Sequence, residues 1–392
     1  MNIGIYTESY KPYLSGVTVS VDTFAKSLVN LGERVYIFAP AYPSQEDKNN
    51  NPWVFRFFSL GTHLYKGFRV AFPFSWRYKK YIENINLDVI HTQYPYIMGW
   101  KAYFTARKLK IPFIYTFHTL FTEYLHFVPL VPQFISAPIV RFLVRFFCNN
   151  LCDYVITPTE KAKKILEEEY KVKTPIEAIP TGVAEEEVKQ ASAQGIREKY
   201  NIKEGTFLLL YVGRFSKEKN IYFLLRMMQK IKEKEKNLDI RLMLIARGPL
   251  TQDIKNYVKK QDLEQEVVFT GEVQRKDIFN HYKAANLFVC ASKTETQGLV
   301  ISEAKACALP GVAINAAGVT AMIENGVDGY LVEENEEIFS QRVLELAQDK
   351  EKLLNFSQAA RKSAEARFLD KTVAQMLLEI YKKAKELKVV SQ

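Results

Sequence analysis

The sequence predicts an α/β protein of two domains, each a parallel sheet with crossover helices. Three observations lead there. Short apolar runs alternate with longer amphipathic stretches along the whole chain, as strand–helix–strand units require. At 392 residues the chain can fill two cores. Near its middle, Ile179-Pro-Thr-Gly-Val183 and the polar run Ala184 to Lys199 read as a hinge and linker.

The elements follow in order. First-half strand candidates are 2–7, 33–39, 53–58, 87–91, 112–117, 153–157 and 176–179; the second half offers 206–212, 240–246, 266–270, 287–291 and 311–314. Each is a short apolar run of the kind a doubly covered parallel strand shows. A helix is expected over 17–31 and a last one over about 370–388. Ligands of such sheets bind beyond the carboxyl ends of the strands, and two facing sheets would form a cleft. His91 and His118 each end a strand and so stand at such an edge, although a lone histidine there is more often structural.

The densest chemistry lies in 292-SKTETQGLVISEAKACALP-310, which leaves the strand 287–291 through a polar loop and enters a helix. Glu295 and Glu303 stand on either side of Gly298-Leu299-Val300, where the helix should begin. Free backbone N–H groups and the helix dipole make that start an anion site. Glu303 lies about 7.5 Å further along a helix rising roughly 1.5 Å per residue. One ligand with a phosphate between two hydroxyl-bearing groups fits, and a nucleoside diphosphate sugar is one. An ordinary strand–loop–helix unit with two solvated glutamates has the same spacing.

Upstream, Leu208-Leu-Leu-Tyr-Val-Gly-Arg-Phe-Ser-Lys-Glu-Lys-Asn220 ends a buried strand at Gly213 and places Arg214 and Lys219 at the following turn. Arginine binds phosphate oxygens in pairs and lysine adds a point charge, which a departing diphosphate needs.

The E-x7-E spacing of Glu295 and Glu303 and the Gly-Arg-x4-Lys-Asn pattern together resemble the family 4 retaining glycosyltransferases. The wording Thr-Glu-Thr-Gln-Gly-Leu-Val is most similar to the bacterial diacylglycerol glucosyltransferase branch. The resemblance implies the GT-B fold: two Rossmann-like domains whose parallel sheets face a central cleft. Residues 1–182 would bind the acceptor, with helix 370–388 packing back on them, and 183–369 would bind the nucleotide sugar. It also implies the roles. His118, in Thr116-Phe-His-Thr119, lies by the reacting sugar and acceptor, and Glu295 holds sugar hydroxyls; these are the catalytic candidates. Gly16, Arg214, Lys219, Gln297, Gly298, Leu299 and Val300 approach the diphosphate and sugar, Val273 the base, and Glu303 the ribose. Glu123 and Tyr124 fall in a stretch similar to the lipid-acceptor branch, and His91 is a further acceptor-side candidate. The chain departs from the family pattern at Ala246-Arg247, where relatives carry a glycine and an acid, and around Ala308 and Gly311.

Charge points the same way. The net charge is +10, and residues 48–145 hold 13 Lys and Arg against Glu83, Asp88 and Glu123, together with all three Trp. A basic, aromatic surface suits anionic lipid or nucleic acid, and no nucleic-acid module is present. The two segments that would face a membrane are Phe68 to Tyr81 and the helical run Arg141 to Phe147, in which Arg141 and Arg145 share a face. Core aromatics beside solvated lysines explain the first segment equally well.

No eighteen-residue apolar run exists, no signal peptide is expected, and four cysteines without a C-x-x-C pair suit a reduced compartment. A cytoplasmic enzyme, peripheral on the inner face of the cell membrane, is therefore expected. It would transfer a hexose, expected to be glucose from UDP-glucose, to a lipid hydroxyl such as that of diacylglycerol. No cofactor and no metal are expected, since no Asp-x-Asp anchor is present. Three alternatives stay open: a soluble acceptor, a non-catalytic sugar-nucleotide binder, and a dehydrogenase-like protein, the last disfavoured because no G-x-G-x-x-G follows the first strand. These residues leave the oligomeric state open.

Overall fold

The computed structural model describes residues 1–13, 15–43, 53–61, 69–118, 133–235 and 237–390. The chain forms two compact units, Met1–Gly182 with Asp370–Gln392, and Val183–Leu369.

Unit 1 holds β1 (Asn2–Tyr6), α1 (Gly16–Asn30), β2 (Arg34–Pro40), β3 (Val54–Phe57), β4 (Ser59–Gly61), β5 (Arg69–Ala71) and α2 (Trp76–Asn84). It continues with β6 (Val89–Thr92), α3 (Ile97–Leu109), β7 (Phe113–Thr116), α4 (Gln133–Leu151), β8 (Tyr154–Thr157), α5 (Glu160–Lys164) and β9 (Ile176–Ala178). Seven strands make one parallel sheet in the order β3-β2-β1-β6-β7-β8-β9, while β4 and β5 form a separate antiparallel pair.

Unit 2 holds α6 (Glu185–Gln190), α7 (Ile196–Lys199), β10 (Phe207–Arg214), α8 (Ile221–Lys234), β11 (Ile240–Arg247), α9 (Thr251–Lys260), β12 (Val267–Phe269) and α10 (Ile278–Ala284). Then come β13 (Leu287–Cys290), α11 (Leu299–Ala306), β14 (Gly311–Ile314), β15 (Gly329–Val332), α12 (Glu336–Gln348) and α13 (Lys350–Arg367), and α14 (Asp370–Val390) returns to unit 1. Its sheet is parallel in the order β12-β11-β10-β13-β14-β15.

The strands are apolar throughout because both faces of each sheet are covered. β1 sends Ile3 and Ile5 to a core with Phe24 and Leu28 of α1, and Tyr6 to the opposite core with Met98 and Ala102 of α3. β10 does the same in unit 2: Leu209 and Tyr211 meet Phe223, Leu224 and Met227 of α8, while Leu208 and Leu210 meet Ile301 and Ala304 of α11. Ser15 caps α1, its hydroxyl accepting from Thr18 N–H at 3.1 Å. The α14 stripe Val373, Leu377, Ile380 and Ala384 recurs at helical spacing and is buried against that first core.

Strand order reverses between β1 and β6 in one sheet and between β10 and β13 in the other. Such switch points open crevices at the carboxyl ends of the strands. β4, β5 and β15 form where the sequence predicts no strand, and α6 and α7 form within 184–199, where it predicts a linker. Each is three to six residues long, too short to display a period.

Candidate active site

In unit 2 the switch point gathers the motifs. β10 ends at Arg214, which is exposed, and its register partner on β11 is Arg247. Two cations therefore sit side by side at the carboxyl edge, and Arg247 stands where the sequence pattern departed from expectation. Lys219 follows in a 3₁₀ turn, and its Nζ forms an ion pair with Glu295 Oε1, joining residues 76 apart in sequence. The pair is mostly buried, so it is screened less than a surface pair.

Glu295 is held by its backbone. Its carbonyl accepts from Gly318 N–H at 2.6 Å, and a Cβ on Gly318 would lie 2.3 Å from Thr296 O. Only glycine lets the two segments approach so closely. α11 starts with Gly298 at φ 78°, a left-handed conformation that L side chains rarely adopt, and without a side-chain cap. No acid occupies its first turn, so no acidic side chain of that turn competes for the N–H groups of Leu299 and Val300. Gln297 is buried beside this start.

Glu303, one turn inside α11, is only 2% exposed. Arg275 Nη1 donates to its Oε1, and the Tyr282 hydroxyl donates to Oε2 at 2.9 Å. Burial, then the Glu303 charge, raise the Tyr282 phenol well above its usual range. Arg275 follows Val273 by two positions, and Val273 itself is half-buried. Lys305 is buried behind this face, where Nζ donates to Asp328 Oδ2 at 2.6 Å, Met322 O at 2.8 Å and Ser363 Oγ at 2.8 Å.

In unit 1, Gly16 opens α1, and among the described residues beyond its own neighbours and helix backbone nothing lies within 4 Å of the position a Cβ would take. His118 follows β7, and its Nε2 donates to Gln93 Oε1 at 2.7 Å, which makes Nδ1 the acceptor nitrogen of the neutral ring. Burial lowers the His118 pKa to about 4, so the ring is neutral at pH 7. His91 is different. It is fully buried, with Nδ1 2.8 Å from the Tyr381 hydroxyl of α14 and Nε2 2.6 Å from Thr116 Oγ1. Burial, then the neighbouring His118, lower its pKa to about 3. It is a core histidine with both nitrogens engaged, and the acceptor-side expectation for it is dropped.

Arg141 and Arg145 are exposed on α4 among exposed Phe142, Leu143 and Phe146, and Arg141 makes a loose 3.8 Å contact with Glu169. Glu123 and Tyr124 lie outside the described residues. Phe68 also lies outside the described residues; in 69–81, Tyr78 is core whereas Phe74 and Trp76 are each 90% exposed. Among the described residues no cluster of three His, Cys, Asp or Glu could hold a metal, and no helix is long and apolar enough to cross a membrane.

Four residues of these sites, Glu8, Gln93, Arg275 and Tyr282, belong to none of the sequence motifs. Glu8 is buried after β1, its Oε1 accepting from Met98 N–H at 2.7 Å at the start of α3. An acid directly after the first strand was the available signal for it. The others announce themselves only through their partners.

Comparison with known proteins now places the chain. The model for Glycosyl transferases group 1 matches residues 192–363, and that for Glycosyltransferase Family 4 matches 14–187. The alpha-monoglucosyldiacylglycerol synthase of Streptococcus pneumoniae is 32% identical over 84% of this chain and 75% of its own length. That of Acholeplasma laidlawii is 31% identical over 86% of each chain. Among solved structures, Anabaena HepE in complex with UDP superposes with a TM-score of 0.75 over 98% of this chain and 100% of its own, at 18% identity. The protein is thus a glycosyltransferase with the GT-B fold. More narrowly, identity and coverage of that extent place it in the family 4 glycosyltransferases, as a hexosyltransferase.

Proposed function

We propose that the enzyme transfers glucose from UDP-glucose to a lipid hydroxyl, with diacylglycerol as the acceptor, and with retention of anomeric configuration. The observation that carries this reading is the ion pair of Lys219 with Glu295 at the β10–β13 switch point, directly before the uncapped start of α11. It supports a diphosphate bound by Arg214, Lys219 and the N–H groups after Gly298, and sugar hydroxyls on Glu295. Glu303 would accept from the ribose and Val273 would present its backbone to the base. Neutral His118 would accept a hydrogen bond from the sugar or acceptor hydroxyl at Nδ1. Charge leaving with UDP is stabilised by preorganised cations and helix N–H groups. Same-face attack, with the departing phosphate taking the acceptor proton, gives retention without a metal.

Relatives named as glucosyldiacylglycerol synthases and a neighbour solved with UDP favour this donor and acceptor. The exposed Phe142, Leu143, Phe146, Arg141 and Arg145 on α4 favour an anionic membrane as the place of reaction, which would make the enzyme peripheral on the cytoplasmic face. The test is UDP release from UDP-glucose with dioleoylglycerol in anionic vesicles, with soluble acceptors alongside, with and without EDTA. Lipid-dependent release is expected, unaffected by EDTA and at least 100-fold lower in Glu295→Ala, as for loss of a strong transition-state contact. Release with soluble acceptors only would discard the lipid, and EDTA-sensitive turnover would discard metal independence.

A further inference from the structure

Glu303 does not stand alone. Its carboxylate is almost inaccessible, and both oxygens already accept one hydrogen bond: Oε1 from Arg275 and Oε2 from Tyr282. A carboxylate offers about four acceptor sites, two per oxygen. One site therefore remains on each oxygen, and two acceptor sites side by side match in number the two hydroxyls of a vicinal diol. Two fixed donors also settle the rotation of the carboxylate, which a glutamate at the end of three torsions would otherwise lose entropy to adopt.

Arg275 is itself held. Its guanidinium lies 4.9 Å from the Phe279 ring centroid, and Nε is 3.7 Å from Glu187 Oε2 on α6. Tyr282 is fully buried on α10. The turn before α10 and α10 itself thus converge on one carboxylate of α11, with α6 bracing Arg275. Packing alone does not call for such an arrangement: an apolar residue at 303 would fill the site without burying a charge.

We propose that Arg275 and Tyr282 are positioning residues that aim the Glu303 carboxylate at the two ribose hydroxyls of the donor nucleotide, making the enzyme select ribo- over 2′-deoxyribonucleotides. This rests on Glu303 receiving the ribose. Arg275 and Tyr282 act through Glu303, so their loss lowers the advantage that a 2′-hydroxyl confers, rather than the binding of base and diphosphate. A hydrogen bond to a charged group contributes about 1.5–3 kcal/mol, so wild type should favour the ribonucleotide at least about tenfold.

The experiment measures the Kd of UDP and 2′-deoxy-UDP, and in parallel of GDP and 2′-deoxy-GDP, for the full chain by calorimetry. Variants are Arg275→Met, Arg275→Lys, Tyr282→Phe and Glu303→Gln, and Tyr282→Phe keeps the buried ring so that folding is not at issue. Arg275→Met and Tyr282→Phe should each cut the ribo/deoxy preference at least about threefold, with the Kd of the deoxynucleotide nearly unmoved. Arg275→Lys should restore part of it, since lysine donates from one point rather than a fork. If Glu303→Gln abolishes the preference while Arg275→Met and Tyr282→Phe retain it in full, the positioning role is overturned and the ribose role of Glu303 stands. If Glu303→Gln also retains the preference, or wild type has none, the ribose role falls and this inference with it.

Discussion

Glu8 shows how one residue can carry a pH dependence. Burial pushes its pKa from 4.5 up to about 7, with the Met98 N–H pulling the other way. Because the folded state binds this proton more tightly than the unfolded chain, the associated stability is complete below the unfolded pKa and is lost as pH rises through about 7. Wild type should therefore lose about 3 kcal/mol between acid and alkaline conditions spanning that window, at about 1.4 kcal/mol per unit. Glu8→Gln keeps an oxygen for Met98 N–H and should not lose it. Urea unfolding at about pH 4 and about pH 8 measures the difference, and equal pH slopes in the two proteins would rule the effect out. Reading the sequence found Glu295, Glu303, Arg214 and Lys219 because they recur at fixed offsets inside motifs. It could not weigh Glu8 or His91, since burial and partners decide what each of them does. His91 resembled a ligand-binding group at a strand end until Tyr381, 290 residues away, was found on its Nδ1.

At the level of elements, α11 must hold still for its start and Glu303 to bind one ligand together. Lys305 does this from behind, fastening α11 to the segment 322–328 and to α13. Burial lowers the Lys305 pKa while the Asp328 carboxylate partly offsets it. Asp328→Ala leaves that ammonium buried without its anion, which typically costs about 3–5 kcal/mol. The double variant Lys305→Met with Asp328→Ala should recover at least about 1 kcal/mol of it, because the uncompensated charge is gone. Urea denaturation of the three proteins checks this; a double variant less stable than Asp328→Ala would contradict it. The helix itself was legible from the apolar positions after Gly298. Its anchor was not, because a lysine in a helix reads as solvated until the fold buries it.

The whole molecule divides its chemistry between the units. Unit 2 carries cations and carboxylates at its switch point, and unit 1 carries the apolar, basic outer face of α4. If α4 docks on a membrane, two contributions should separate in vesicle flotation. Arg141→Ser with Arg145→Ser should weaken binding to anionic vesicles only, by about 1 kcal/mol per arginine, and make it less salt-sensitive. Phe142→Ser with Phe146→Ser should weaken binding to anionic and neutral vesicles alike, since burial of each ring contributes about 1.5–3 kcal/mol. Unchanged flotation of both variants would remove α4 from the interface.

The sequence by itself determined the fold class and most strands, because parallel strands covered on both faces are continuous apolar runs that need no partner to be recognised. It also determined the charged motifs, whose spacing is local. Only the tertiary structure decided which of those groups meet. Lys219 with Glu295, Arg275 with Glu303 and Lys305 with Asp328 all join separate elements, and such pairings depend on strand order and helix packing rather than on any period along the chain. It also decided which aromatic residues between 69 and 81 are core and which face outward. That choice follows from which side of each element the sheet covers.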